Sequence, residues 1–117
     1  MLSATDNAYL NTSEPNTPMG NYLRCHWHPV ALSEEVAKPD CAPIRVKVMG
    51  EDLLLFRESN GKTGLIEPFC AHRGADLFFG RNEECGIRCI YHGWKSIYMG
   101  IVLTCPMFPR MLPITVR

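Results

Sequence analysis

Two short segments of this 117-residue chain carry residue types that bind metals. The first is Cys70-Ala71-His72-Arg73-Gly74, and the second is Cys89-Ile90-Tyr91-His92-Gly93-Trp94. Sixteen residues separate His72 from Cys89. Each segment offers one thiolate and one imidazole, and the glycine after each pair lets backbone approach closely. Together they make a set of two cysteines and two histidines. Three readings compete. Accidental Cys and His in a core fits poorly with two matched pairs, each followed by glycine. Structural zinc also takes two Cys and two His, but zinc sites usually pair like ligands along the chain, Cys with Cys and His with His. The mixed order here suits a [2Fe–2S] cluster with both cysteines on one iron and both histidines on the other, so that each loop gives one ligand to each iron.

The elements that must position these loops read as mostly β. Ile44-Arg-Val-Lys-Val48 alternates apolar and polar residues, the period-2 pattern of a half-buried strand. A turn is expected at Gly50–Asp52, a second strand at Leu53–Arg57, a hairpin turn at Glu58–Lys62 around Asn60-Gly61, and a third strand at Gly64–Phe69. Residues 81–86 read as a turn and 87–91 as a strand. Before these, residues 1–20 are polar, with a helical turn expected around Asp6–Leu10. Tyr22–Leu32 is apolar and aromatic, His28-Pro29 biases His28 toward extended backbone, and Ser33–Pro43 reads as a surface loop. The expected fold class is all-β: a small antiparallel sandwich or barrel with the two ligand loops at one end. The expected division is an arm and loop over 1–43, a cluster-bearing domain over 44–95, and a tail over 96–117.

Composition narrows the function. Twelve basic and twelve acidic residues leave no net charge, and no Lys/Arg cluster restores a basic patch, so nucleic acid is not an expected partner. The longest apolar runs, such as Leu53–Phe56, fall far short of the ~20 residues of a membrane span. Residues 1–20 lack a hydrophobic signal core. The expected location is the cytoplasm, where six cysteines suggest metal ligation before disulfides. His26 and His28 lie outside both loops and are expected to pack or face solvent. Cys25, Cys41 and Cys85 are expected to be unligated thiols, and Trp94 a shielding or core aromatic. Arg73, next to a ligand, reads equally as a docking contact or a solvated side chain.

The pattern C-A-H-R-G, sixteen residues, C-I-Y-H-G-W resembles the Rieske domain of the non-haem iron ring-hydroxylating oxygenases. The likeness covers most of residues 1–95. Thr17-Pro-Met-Gly20, Leu23-Arg24, Trp27 and Pro29-Val30 resemble the N-terminal arm of the phthalate 4,5-dioxygenase-like branch. Gly50–Leu53 and Phe56-Arg57 resemble its paired strands, and Phe78–Cys89 the stretch between its ligand loops. His26 departs from that branch, which tends to carry Tyr there. The resemblance implies one-electron transfer through a Rieske [2Fe–2S] cluster, with Cys70 and Cys89 as thiolates and His72 and His92 as neutral imidazoles. It implies a reductase or ferredoxin as electron donor, and family members are homo-oligomers. High-potential Rieske proteins carry an inter-loop disulfide and a hydroxyl donor to the cluster; here Ala75 and Tyr91 stand at the disulfide positions and Trp94 at the hydroxyl position. The low-potential end of the range is therefore expected. Oxygenases of this family bind a mononuclear Fe(II) in a second domain through two histidines and a carboxylate. No histidine follows His92, so the expectation is a chain that carries an electron without hydroxylating a ring itself. Two other readings stay open: a stand-alone Rieske ferredoxin, and a zinc-stabilised binding module.

The likeness stops after Trp94-Lys95. The family continues W-K-F-D-x-x-G-x-C-V-x-x-P, whereas this chain reads Ser96-Ile-Tyr-Met-Gly100-Ile-Val-Leu-Thr-Cys-Pro106. Displacing the reading frame by one nucleotide restores the pattern. Met99-Gly100 is ATG-GGN, so the displaced triplet is GGG, a glycine at the family's glycine position. The neighbouring triplets allow Phe and Asp before it, and Cys, Val and Pro after it. Residues 96–117 are thus expected to be a frameshifted tail. Ser96–Leu103 is apolar enough to pair as a strand. Beyond about residue 104, Pro106, Pro109 and Pro113 predict irregular chain with no central strand.

Overall fold

The computed structural model describes residues 1–104 and 114–115. The arm forms two short helices, α1 (Ala4–Asn11) and α2 (Pro18–Leu23). Ser3 caps α1, its hydroxyl accepting the Asp6 N–H at 3.1 Å. Thr17 caps α2, accepting the Gly20 N–H at 3.1 Å, and Pro18 fills the first turn. The helix at 18–23 goes beyond the sequence-based expectation, although Thr17-Pro18 is a helix-start signal. Arg24 ties the arm to the sheet. Its guanidinium donates to the carbonyls of Ser13, Gly20 and Met49 at 3.0–3.1 Å and pairs with Glu51.

Among the described residues the β structure is entirely antiparallel and falls into two sheets. The first is a three-stranded meander of β1 (Ile44–Val48), β2 (Glu51–Arg57) and β3 (Thr63–Ile66), with Ile44 opposite Leu55 and Leu54 opposite Ile66. The β1–β2 turn is Met49-Gly50, one residue earlier than Gly50–Asp52, and both residues have positive φ (+48° and +82°). That backbone suits a tight two-residue hairpin. The second sheet runs in order β4 (Arg81–Asn82), β5 (Ile87–Arg88), β6 (Lys95–Ser96), β7 (Ile101–Thr104) and β8 (Ile114–Thr115). β5 ends at Arg88 rather than 91 because Cys89 opens the second Cys/His loop. Residues 96–104 form no single strand: β6 and β7 are separated by a turn in which Gly100, at φ +70°, donates its N–H to Ile97 O at 2.9 Å. The expectation of irregular chain beyond 104 is corrected at Ile114–Thr115, which pair with Ile101 and Val102 as an edge strand. The rest of that expectation concerns residues outside the described ones.

One core serves both sheets: Leu54, Phe56 and Ile66 from the first, Ile87 from the second, and Leu77, Cys70 and Cys89 from the intervening loops. Side-chain hydrogen bonds stitch the halves. The Asn82 amide donates to Cys41 O (2.9 Å) and Arg57 O (2.7 Å). The buried Glu58 carboxylate accepts the Tyr98 N–H at 2.8 Å and the Asn60 side-chain amide at 3.0 Å. The expected all-β class is what the chain adopts.

Candidate metal centre

The two Cys/His segments are built to one backbone plan. In the first, Cys70 N–H donates to Ala75 O (2.8 Å) and Gly74 N–H to Cys70 O (2.8 Å). In the second, Cys89 N–H donates to Trp94 O (2.8 Å) and Gly93 N–H to Cys89 O (3.0 Å). Gly74 (φ +66°) and Gly93 (φ +72°) occupy the same place in each loop. The flanks match as well. Phe69 pairs with Asp76 across the first loop, and Arg88 with Lys95 across the second. Each loop is thus the tip of a hairpin whose first residue is the cysteine. The histidine sits two places after its cysteine in one loop and three in the other.

This plan brings like donors together. Cys70 and Cys89 are 5% and 3% exposed, inside the shared core. Burial pushes the Cys70 thiol up, the Cys89 thiol beside it adds to that, and the backbone N–H groups of His72 and Arg73 oppose it by pointing at the sulfur. The imidazoles of His72 and His92 meet edge to face, ring centres 4.6 Å apart, on the more exposed side. Trp94 lies flat on His72, at 4.7 Å and 7° between planes. Tyr91 leans on His92 at 3.9 Å. Withdrawal from water, then the charges of His92 and Arg73, lower the His72 pKa and favour its neutral, metal-binding form.

The donor set fits a two-iron cluster. His72 Nδ1 is buried with no hydrogen-bond partner, leaving a nitrogen lone pair or N–H that a metal could satisfy. A closed zinc site needs four donors around one ion, whereas a cluster with two thiolates on one iron and two imidazoles on the other needs only like pairs side by side. His28 lies instead in the arm, its Nε2 2.7 Å from Leu23 O, and His26 packs near Tyr22. Cys25 is exposed, and Cys41 and Cys85 are half-buried free thiols. No local pattern points to the buried ties through Glu58 and Asn82, because both depend on partners far away in the chain.

A family model described as the Rieske [2Fe-2S] domain matches residues 26–110. The chain belongs to that family, whose cofactor is the [2Fe–2S] cluster. It is 47% identical over 103 residues to the phthalate 4,5-dioxygenase oxygenase subunit of Pseudomonas putida, covering 88% of this chain and 24% of that protein. It is also 47% identical over 101 residues to the phenoxybenzoate dioxygenase subunit alpha of Ectopseudomonas oleovorans, covering 86% and 24%. The solved structure of Pseudomonas putida CBB5 NdmA superposes with a TM-score of 0.66 at 30% identity, over 79% of this chain and 28% of that one. The chain spans about a quarter of the length of these curated relatives. No helix among the described residues is long and apolar enough to cross a membrane.

Proposed function

We propose that this chain passes single electrons through a [2Fe–2S] cluster held by Cys70 and Cys89 on one iron and by His72 and His92 on the other, as the Rieske part of a ring-hydroxylating oxygenase. The observation that carries the reading is the pair of equivalent loops that sets thiol beside thiol and imidazole beside imidazole, with His72 Nδ1 left unpartnered. When bound, the cluster supplies a one-electron couple in the range of roughly −150 to +300 mV. The protein's part is to hold and tune it. The core keeps water from the two sulfurs. The N–H groups of His72 and Arg73 stabilise negative charge on Cys70. The half-exposed imidazole edge leaves a short route to a partner.

The names of the relatives support a dioxygenase oxygenase component as the parent activity. On that reading the donor is a reductase or ferredoxin, and the acceptor is a mononuclear iron in the catalytic part of such a protein, within a homo-oligomer. The need for two free thiolates supports a reducing, cytoplasmic setting. The same proposal divides the chain into an arm (1–43), the cluster-bearing domain (44–95) and a shifted-frame tail (96–117). Support for the tail is that the chain departs from the family pattern after Lys95 and can regain Phe, Asp, Cys, Val and Pro at the family positions when the frame is displaced by one nucleotide. Sequencing the coding DNA past codon 95 tests that division; a displaced frame lacking F-D-x-x-G would contradict it. Anaerobic reconstitution tests the function: a reducible, visibly coloured protein is expected, and a colourless protein holding zinc would overturn the reading.

A further inference from the structure

We infer that Trp94 is a positioning residue for the His72 ligand, reaching across from the other loop. This rests on the ligand assignment proposed above. His72 belongs to the first loop and Trp94 to the second, yet their rings stack at 4.7 Å with only 7° between planes. The second side of the His72 ring is bounded by His92, edge to face at 4.6 Å. An imidazole's second side-chain torsion is broad and roughly two-fold, so an unsupported ring samples flipped orientations. The stacked indole fixes the plane of the imidazole, and His92, inclined at 70° to it, limits its tilt. The orientation they leave is the one with Nδ1 buried and unpartnered.

Trp94 is itself held on two sides. Its carbonyl closes the second loop by accepting the Cys89 N–H at 2.8 Å, and its indole packs on the shared core. The residue therefore converts the fold of one loop into the ring orientation of the other, before any cluster is present. Residues that orient metal-binding histidines usually do so by hydrogen bonding. The orienting contact seen here is instead the aromatic face of Trp94.

The test uses the full, cluster-loaded chain and compares wild type with Trp94→Leu and Trp94→Phe. Pulsed EPR of the reduced cluster reads the nitrogen couplings of the two histidines, and a chelator challenge reads the half-time of cluster loss. Trp94→Phe keeps a stacking ring and is expected to retain both couplings. Trp94→Leu is expected to broaden the coupling of one histidine, leave the other unchanged, and shorten the half-time about tenfold. Wild-type couplings in Trp94→Leu would overturn the inference, as would a Trp94→Phe variant as damaged as Trp94→Leu. Should Trp94→Leu fail to hold a cluster, Trp94→Phe decides: wild-type couplings support the inference and altered ones overturn it. A wild-type chain with no histidine couplings at all would instead overturn the ligand assignment, and the inference with it.

Discussion

The carboxylate of Glu58, 1% exposed, accepts the backbone N–H of Tyr98 at 2.8 Å. Glu58 stands in the β2–β3 turn of the first sheet, and Tyr98 follows β6 in the second. The bond pins the chain leaving the second ligand loop onto the hairpin leading toward the first. It uses main chain at position 98, so it does not depend on the side chain there. Gly64 completes the contact: a Cβ at that position would lie 2.7 Å from Tyr98 Cα.

Glu58→Ala is expected to destabilise the cluster-loaded protein by about 2 kcal/mol, because a buried N–H and the Asn60 amide lose their acceptor. Tyr98→Phe removes only a 3.4 Å contact from Lys62 Nζ and is expected to stay within about 0.5 kcal/mol of wild type. Denaturant midpoints of the two variants check the contrast. Equal losses would show that the Tyr98 side chain, rather than its N–H, makes the tie.

Gly74→Ala isolates the backbone requirement of the first loop. Gly74 has φ +66°, and a Cβ there would meet nothing within 4 Å. The cost is therefore conformational, about 1–2 kcal/mol. Asparagine tolerates this backbone better, so Gly74→Asn is expected to retain more cluster than Gly74→Ala at equal iron. Visible absorbance per mole of protein measures it.

Removing the metal should unfold more than the two loops. Cys70 and Cys89 are core residues in contact with the groups that join the sheets, and metal binding contributes directly to folding in small metal-dependent domains. The cluster-free chain is expected to lose amide protection across both sheets. Strong protection of residues 44–69 without iron, measured by hydrogen exchange, would show that the first sheet stands alone.

The midpoint potential is expected toward the lower end of the Rieske range. Ala75 and Tyr91 leave no thiols to link the loops, and Trp94 offers no hydroxyl to the sulfurs. Trp94→Ser should raise the potential if its hydroxyl reaches a sulfur. A redox titration with a wild-type midpoint well above about 0 mV would contradict this account.

The candidate site was legible in the sequence because Cys70, His72, Cys89 and His92 sit in two compact segments that each pair a thiol with an imidazole. β1 was legible because apolar and polar residues alternate over Ile44–Val48, and β2 because the apolar run Leu53–Phe56 lies between two turn signals. β4, β5 and β6 are two residues each, too short to carry a period, and their positions follow from the loops they flank. The equivalence of the loops was only half visible: the histidine offset differs by one residue, and the shared closure appears in the hydrogen bonds of Cys70, Gly74, Cys89 and Gly93. The stack of Trp94 on His72 and the Glu58 tie join residues distant in the chain, which local patterns do not reveal.

The central claim is that two histidines and two cysteines share one cluster. It is tested most directly by pulsed EPR on the reduced protein grown with ¹⁵N-labelled histidine. Two coupled ¹⁵N nuclei are expected, with the signal abolished in His72→Ala and in His92→Ala. A cluster signal without histidine ¹⁵N coupling, or one that survives both substitutions, would contradict the account.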